Sequence, residues 1–166
     1  MSNPLVSIAR VILPAALVYV AYTYLGPAAG VGLLIALALV YLYLNRSIIY
    51  QNRAGKKYQK GDFEGVLADL KTAVSSAPKN PKVRGTYAFF LVKMGYTEDA
   101  AVEIDKAIEC AVTEADKKSL LVTKSLVLWK QRKIDEAIKE LEELLITYEN
   151  TNVYATLGFL YIEKGD

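Results

Sequence analysis

Hydrophobic residues run without a single charge from Val11 to Asn45, and beyond that point they recur at helical spacing between charged and turn-forming residues. One helix over the uncharged stretch would reach roughly 50 Å, well past a bilayer core of about 30 Å. Gly26-Pro27 interrupts it, because proline lacks an amide hydrogen and disfavours helix at the residue before it. Gly30 and Gly32 loosen the next turn. The pattern therefore predicts one apolar helix from about Pro4 to Leu25 and a second from about Ala28 to Leu44, each able to span once, so that residues 1–45 form a transmembrane helical hairpin. Asn3-Pro4 reads as a helix start and Pro14 as a kink. Past Arg46, the spacing predicts helices near 47–59, 62–76, 81–94, 97–112, 115–131, 134–148 and 152–164. No proline or glycine lies between Leu33 and Ala54, which lets the second apolar helix run straight into the first amphipathic one as a stalk.

The second part repeats itself. Gly61-Asp62-Phe63-Glu64-Gly65-Val66 returns 34 residues later as Gly95-Tyr96-Thr97-Glu98-Asp99-Ala100, and 37 after that as Arg132-Lys133-Ile134-Asp135-Glu136-Ala137. Leu70, Ile104 and Leu141 follow the same offsets, as do Ala73, Ala107 and Leu144. Upstream, the small residues Ala54, Ala88, Ser125 and Gly158 recur in step. A period of this length signals stacked helix pairs that bury their apolar faces on one another.

The spacing resembles the tetratricopeptide repeat family. The last segment matches best: Tyr154, Leu157, Gly158, Tyr161, Gly165 and Asp166 stand in the family's order, and Pro78 ends the first repeat where the family places its proline. The resemblance spans about Ser47 to Asp166. It implies an all-α chain in which the hairpin is followed, over residues 46–166, by a right-handed superhelix of helix-turn-helix repeats at 47–80, 81–117, 118–150 and an incomplete 151–166. Four residues depart from the family pattern. Arg53, Lys57 and Lys124 occupy apolar positions, and Arg132 replaces a turn glycine. The last copy stops at the turn into its second helix, so either further chain or a partner is expected to cover that end.

Charge adds an orientation. The chain is 53% hydrophobic with a net charge of +2, but residues 46–60 hold Arg46, Arg53, Lys56, Lys57 and Lys60 and no acid. Beyond residue 60, 14 of the 20 bases face all 18 acids, a net of −4. Bases beside an apolar span contact anionic lipid head groups and mark the cytoplasmic side, so these five are the expected lipid-facing residues and no nucleic acid is expected as partner. Arg10 reads as a snorkelling flank, and Tyr22, Tyr24, Tyr41 and Tyr43 as interfacial anchors. A second apolar segment and the lack of a clearly basic start weigh against a cleaved signal peptide. A two-span protein of a bacterial plasma membrane, with its repeats in the cytoplasm, fits this pattern.

Composition also excludes chemistry. Without histidine, and with Cys110 as the one cysteine, the chain cannot build a His-based triad, a Cys/His zinc site or an internal disulfide. It has neither a phosphate-binding P-loop nor a nucleophile elbow. Asp135, Glu136, Glu140, Glu142 and Glu143, mixed with Lys133 and Lys139, read as a solvated helix face. No catalytic residue, metal ligand or cofactor is expected, and the protein is not expected to be an enzyme.

The resemblance puts ligand contacts on the inner face of each repeat's first helix. At helical spacing this face holds Gln51, Gly55, Tyr58 and Gln59, then Gly85, Phe89, Val92 and Lys93. The next two repeats supply Val122, Leu126, Trp129 and Lys130, and then Ala155, Phe159, Ile162 and Glu163. The candidate partner-binding groove is Gln51, Tyr58, Phe89, Lys93, Val122, Leu126, Trp129, Lys130 and Phe159, with Tyr58, Phe89, Trp129 and Phe159 as an aromatic track. A one-step change of register would instead pack those rings between repeats, and both readings stand at this point. Gln51, Gly55 and Thr86 stand where the family's carboxylate-clamp subgroup uses charged and amide residues, so binding of chaperone tails is not expected. The expected function is a membrane-anchored scaffold for a protein or peptide partner. Two other readings are substrate-presenting repeats of a larger enzyme continuing past residue 166, and a membrane-complex subunit acting through Ala28, Ala29, Gly30 and Gly32. The oligomeric state stays open.

Overall fold

The computed structural model describes the backbone of residues 4–165 and the side chains of residues 12–165. Among these it has nine α-helices and no strand. The expectations for Asn3, for the Arg10 side chain and for Asp166 lie outside the described residues. Contacts divide the chain into two units, residues 1–46 and 47–166.

In the first unit, α1 (Pro4–Leu25) and α2 (Pro27–Leu44) fold back on each other through Gly26 alone, whose φ of 95° a residue with a Cβ rarely adopts. Pro27 opens α2, where its missing amide donor costs nothing. The helices approach most closely at Gly30, where an added Cβ would lie 2.7 Å from Tyr22 Cβ. Of the small residues expected to serve an outside helix, Gly30 is thus occupied by α1, while Gly32 faces open space. By length and composition α2 can cross a membrane, with a mean hydropathy of 2.1. In α1, Pro4–Leu25, the described side chains form an apolar stretch from Ile12 to Leu25. One helix among the described residues therefore meets that criterion, where two were expected.

The expected continuous stalk is interrupted. Asn45 ends α2 because its side-chain amide, at 2.8 Å, competes with the backbone amide for the Tyr41 carbonyl, and a new helix begins at Arg46.

The second unit contains α3 (Arg46–Gln59), α4 (Phe63–Ser76), α5 (Pro81–Lys93), α6 (Thr97–Cys110), α7 (Glu114–Lys130), α8 (Ile134–Leu145) and α9 (Thr151–Lys164). Side-chain caps start four of them: Asp62 accepts from Gly65 N, Asn80 from Lys82 N and Val83 N, Thr113 from Asp116 N, and Asn150 from Asn152 N. The residues repeated in sequence form the core. Leu70, Ile104 and Leu141 are buried, as are Val66, Ala100 and Ala137. Ala54, Ala88 and Ser125 are buried where each pair closes, but their counterpart Gly158 is exposed because the described chain supplies no second helix for α9.

The departures from the family pattern have physical explanations. Arg53 Nε and Lys57 Nζ reach the buried carboxylate of Asp69 at 2.9 and 3.0 Å, and Lys124 pairs with Glu140 at 3.1 Å. Charge answers charge across helix pairs that elsewhere meet through apolar side chains. Arg132 takes a φ of 62°, the left-handed turn conformation that Gly61, Gly95 and Gly165 supply in the other copies. Helix α8 closes at Leu145, earlier than predicted, which puts Tyr148 in the connection to α9.

Candidate functional site

The first helices α5, α7 and α9 touch one another in sequence, and their shared face forms two adjoining hollows of about 320 and 400 Å³ that have Phe89, Ser119 and Thr123 in common. Phe89, Val122 and Leu126 give the cleft an apolar floor. Its walls are hydroxyls and amides, chiefly Thr86, Thr123, Asn152 and Thr156. The Thr86 and Thr156 hydroxyls donate to the Lys82 and Asn152 carbonyls at 2.9 and 2.8 Å, leaving oxygen lone pairs as acceptors. At one mouth Lys82 Nζ stands 3.3 Å from Asp116. A hydrogen bond with the Thr113 hydroxyl, and then the Lys82 ammonium, hold the Asp116 carboxyl below its ordinary range. Chemically, such a cleft can bury apolar side chains and satisfy the backbone of an extended segment. Among the described residues, no three His, Cys, Asp or Glu side chains converge as a metal site would require.

The candidates read from the sequence fall into three groups. Phe89, Val122 and Leu126 share the cleft. Tyr58 and Lys93 sit at the far end of α5, where the Lys93 ammonium lies 5.2 Å from the Phe89 ring centroid and 5.8 Å from that of Tyr58. Trp129, Phe159 and Lys130 form a third cluster: the two rings meet edge-on at 4.8 Å and Lys130 Nζ lies 4.0 Å over the indole. The aromatic track is therefore not continuous. Trp129 also packs against the core of α8 and α9, so this ring serves the packing between repeats.

Three placements differ from expectation. Val92 is 3% exposed and belongs to the core, because the face of α5 turned to α6 takes it. Gln51 donates to the Ser47 carbonyl on its own helix and lines neither hollow. Of the five bases expected at head groups, Arg53 and Lys57 are engaged by Asp69, whereas Arg46 stacks over Tyr43 at 4.5 Å and Lys56 and Lys60 are exposed.

Sequence reasoning named Thr86 only as a departure from the clamp pattern and missed Ser119, Thr123, Asn152 and Thr156. The available signal was their position one residue after, or three before, the candidates on the same helix face, which brings them to the same wall. It also missed Tyr148, which enters the cleft only because α8 ends early.

The family model for the tetratricopeptide repeat matches residues 57–121. Solved structures agree over more of the chain. The first TPR domain of human RPAP3 superposes with a TM-score of 0.61 at 13% identity, covering 74% of this chain and 94% of that one. The fold is that of tetratricopeptide repeats. The second TPR domain of human RPAP3, in complex with an HSP70 peptide, gives a TM-score of 0.57 at 16% identity over 69% of this chain and 94% of that one. The Arabidopsis OM64 TPR domain gives 0.60 at 11% identity over 73% and 98%. No curated protein sequence matches this chain. At these identities the likeness establishes how the TPR helices stack, and the family model runs from the last turn of α3, through α4, α5 and α6, into the first half of α7.

Proposed function

We propose that the TPR unit is a scaffold that takes a protein or peptide partner in the cleft between α5, α7 and α9, and that α1 and α2 tether it to a membrane as a two-span hairpin with the repeats on the cytoplasmic side. The observation that carries the partner-binding reading is the pairing of an apolar floor, Phe89, Val122 and Leu126, with walls of hydroxyl and amide groups. A structurally similar TPR domain, from human RPAP3, holds an HSP70 peptide. Here the cleft's hydroxyl and amide walls, Thr86 among them, favour an uncharged segment over a carboxylate-terminated tail.

The tether rests on the apolarity of α2, the apolar stretch of α1 that lies against it, and the bases after Asn45. Arg46, Lys56 and Lys60 are the head-group contacts, since Asp69 engages the other two bases. Thr123→Arg fills the cleft from its partly buried wall, at a residue outside the core clusters. It is expected to abolish partner capture by the detergent-solubilised full chain while helical content stays unchanged; undiminished capture would end the cleft reading. Resistance to alkaline carbonate extraction, together with digestion of the repeats from the cytoplasmic side alone, tests the tether separately.

A further inference from the structure

Helix α3 packs into the repeats through one side. Ala54 is buried against Val66 and Leu70, and Ser47, two turns before it on the same side, is buried as well. On the opposite side Ile48, Asn52, Lys56 and Gln59 fall at helical spacing, with Ile49 and Lys60 beside them, and all six are exposed. This face is apolar at its start and basic towards its end. Ile48 and Ile49 leave 55% and 42% of their surface bare in the first turn, and Lys56 and Lys60 follow along the helix.

Isolated exposed isoleucines need no explanation on a protein surface. These two differ by their place in the chain. Ile48 comes four residues after Leu44, where the apolar helix α2 ends, so at most about 14 Å of chain separates it from that end. The head-group zone is roughly 5–8 Å deep on each side of the hydrocarbon core. Asn45 closes α2 and α3 starts afresh, so no continuous helix carries the chain straight out of that zone. The first acid in the sequence is Asp62, which leaves the whole face without a carboxylate of its own to repel an anionic surface. Apolar side chains and lysines sharing one exposed helix face beside a span match a helix that lies in a membrane interface.

We infer that the face of α3 formed by Ile48, Ile49, Asn52, Lys56, Gln59 and Lys60 docks along the surface of an anionic bilayer. The two isoleucines enter the boundary between head groups and acyl chains. The two lysines lay their methylene stems along it and present their ammonium groups to lipid phosphates. The inference rests on the membrane tether proposed above and adds that the first repeat helix lies on lipid along its length, instead of touching it at Arg46 alone. The inner cleft uses none of these six residues.

The test places single NBD fluorophores on cysteines of the full chain, in a Cys110→Ser background, in nanodiscs rich in phosphatidylglycerol. Nitroxide lipids, labelled near the head group or deep in the acyl chain, act as quenchers. Gln59→Cys is the deciding position, because it lies about 20 Å along α3 from Arg46 and would be far outside the head-group zone if the helix stood away from the membrane. The shallow quencher is expected to act on Gln59→Cys as strongly as on Ile49→Cys, whereas labels at Val112→Cys and Ile146→Cys, on side chains more exposed than either isoleucine, stay unquenched. Phosphatidylcholine in place of phosphatidylglycerol, Lys56→Glu with Lys60→Glu, and Ile48→Ser with Ile49→Ser should each remove the quenching at Gln59→Cys, with circular dichroism unchanged. If the isoleucine pair disturbs the helices, the exposed lysine pair carries the expectation. A label at Leu39→Cys in α2 reports the tether by itself through the deep quencher. Quenching there without quenching at Gln59→Cys would overturn this inference and leave the tether standing; no quenching at Leu39→Cys would end both. A Gln59→Cys label shielded from water but untouched by the lipid quencher, as a second copy of the chain over α3 would make it, would also overturn the inference, as would quenching of Val112→Cys and Ile146→Cys in its place.

Discussion

Lys57 Nζ lies 3.0 Å from Asp69 Oδ2, a carboxylate that is 4% exposed. Arg53 Nε reaches the same oxygen at 2.9 Å, and Lys57 also donates to the Gly65 carbonyl at 3.2 Å. Beside the apolar contacts of Ala54, Val66 and Leu70, the first helix pair thus holds a buried acid shared between two bases, where the next two pairs each carry a single ion pair, Arg84 with Glu103 and Lys124 with Glu140.

Removing the acid leaves the largely buried Lys57 ammonium without its carboxylate partner. Breaking a fully buried pair costs roughly 3–5 kcal/mol, and the partial solvent access of Lys57 reduces this, so Asp69→Ala is expected to destabilise by about 2 kcal/mol. Arg53→Ala should cost less than about 1 kcal/mol, because that side chain is mostly in water. Joint replacement, Asp69→Leu with Lys57→Met, should recover most of the loss. Urea unfolding followed by circular dichroism measures all three, and an Asp69→Ala protein as stable as the parent would show the pair to be incidental.

Arg132 holds a φ of 62° at the turn where its counterparts are glycines. A side chain in that region costs roughly 1–2 kcal/mol, part of which glycine returns through its greater freedom when unfolded. Arg132→Gly should therefore stabilise by about 0.5–1 kcal/mol and raise Tm, and Gly95→Ala should lower it by a similar amount. Opposite signs in thermal melts are the expected signature.

The repeat was legible because burial recurs with the period of the helix pair: Leu70, Ile104 and Leu141 could be aligned by counting and are all in the core. Charged substitutions within that period looked like decay. Arg53 and Lys57 are explained only once α4 brings Asp69 beside them, a contact across 16 residues that no local pattern reveals. The inner face was legible to within one residue. Phe89, Val122 and Leu126 share one hollow, but Val92, at the same helical spacing, turns into the core, and the hydroxyl walls lack the hydrophobic signal used to choose positions. The break at Asn45 was missed because it comes from a side chain competing for its own helix's carbonyl, not from proline or glycine.

Acid sensitivity should trace in part to Asp116. The Thr113 hydroxyl and Lys82 hold its carboxyl below the ordinary 3.8, so the folded state favours the ionised form. A depressed folded-state pKa contributes stability above the unfolded value, and that contribution is lost as pH falls through about 4 and below. Asp116→Asn should consequently lower Tm at neutral pH, and the gap to the parent should close on acidification. A gap that persists at low pH would mean that the residue acts by packing or capping alone.

Trp129 and Thr123 lie within two turns of one α-helix, α7, yet should respond oppositely to substitution. The indole meets Phe159 edge-on at 4.8 Å and packs against the core that holds Leu141, Leu157 and Leu160, so Trp129→Ala opens a cavity between α7 and α9. Truncation of a large aromatic side chain in a core costs about 3–5 kcal/mol, and the partial burial here brings this to about 2–3 kcal/mol. Because α9 has no second helix among the described residues, the loss should appear as early local unfolding of α9, visible in hydrogen exchange before global melting. Thr123 stands on the cleft wall outside that core, and Thr123→Arg should leave exchange in α9 unchanged while blocking the cleft. If Trp129→Ala instead leaves α9 protected and removes partner capture, the ring belongs to the binding face and the boundary between core and cleft lies one residue further round α7.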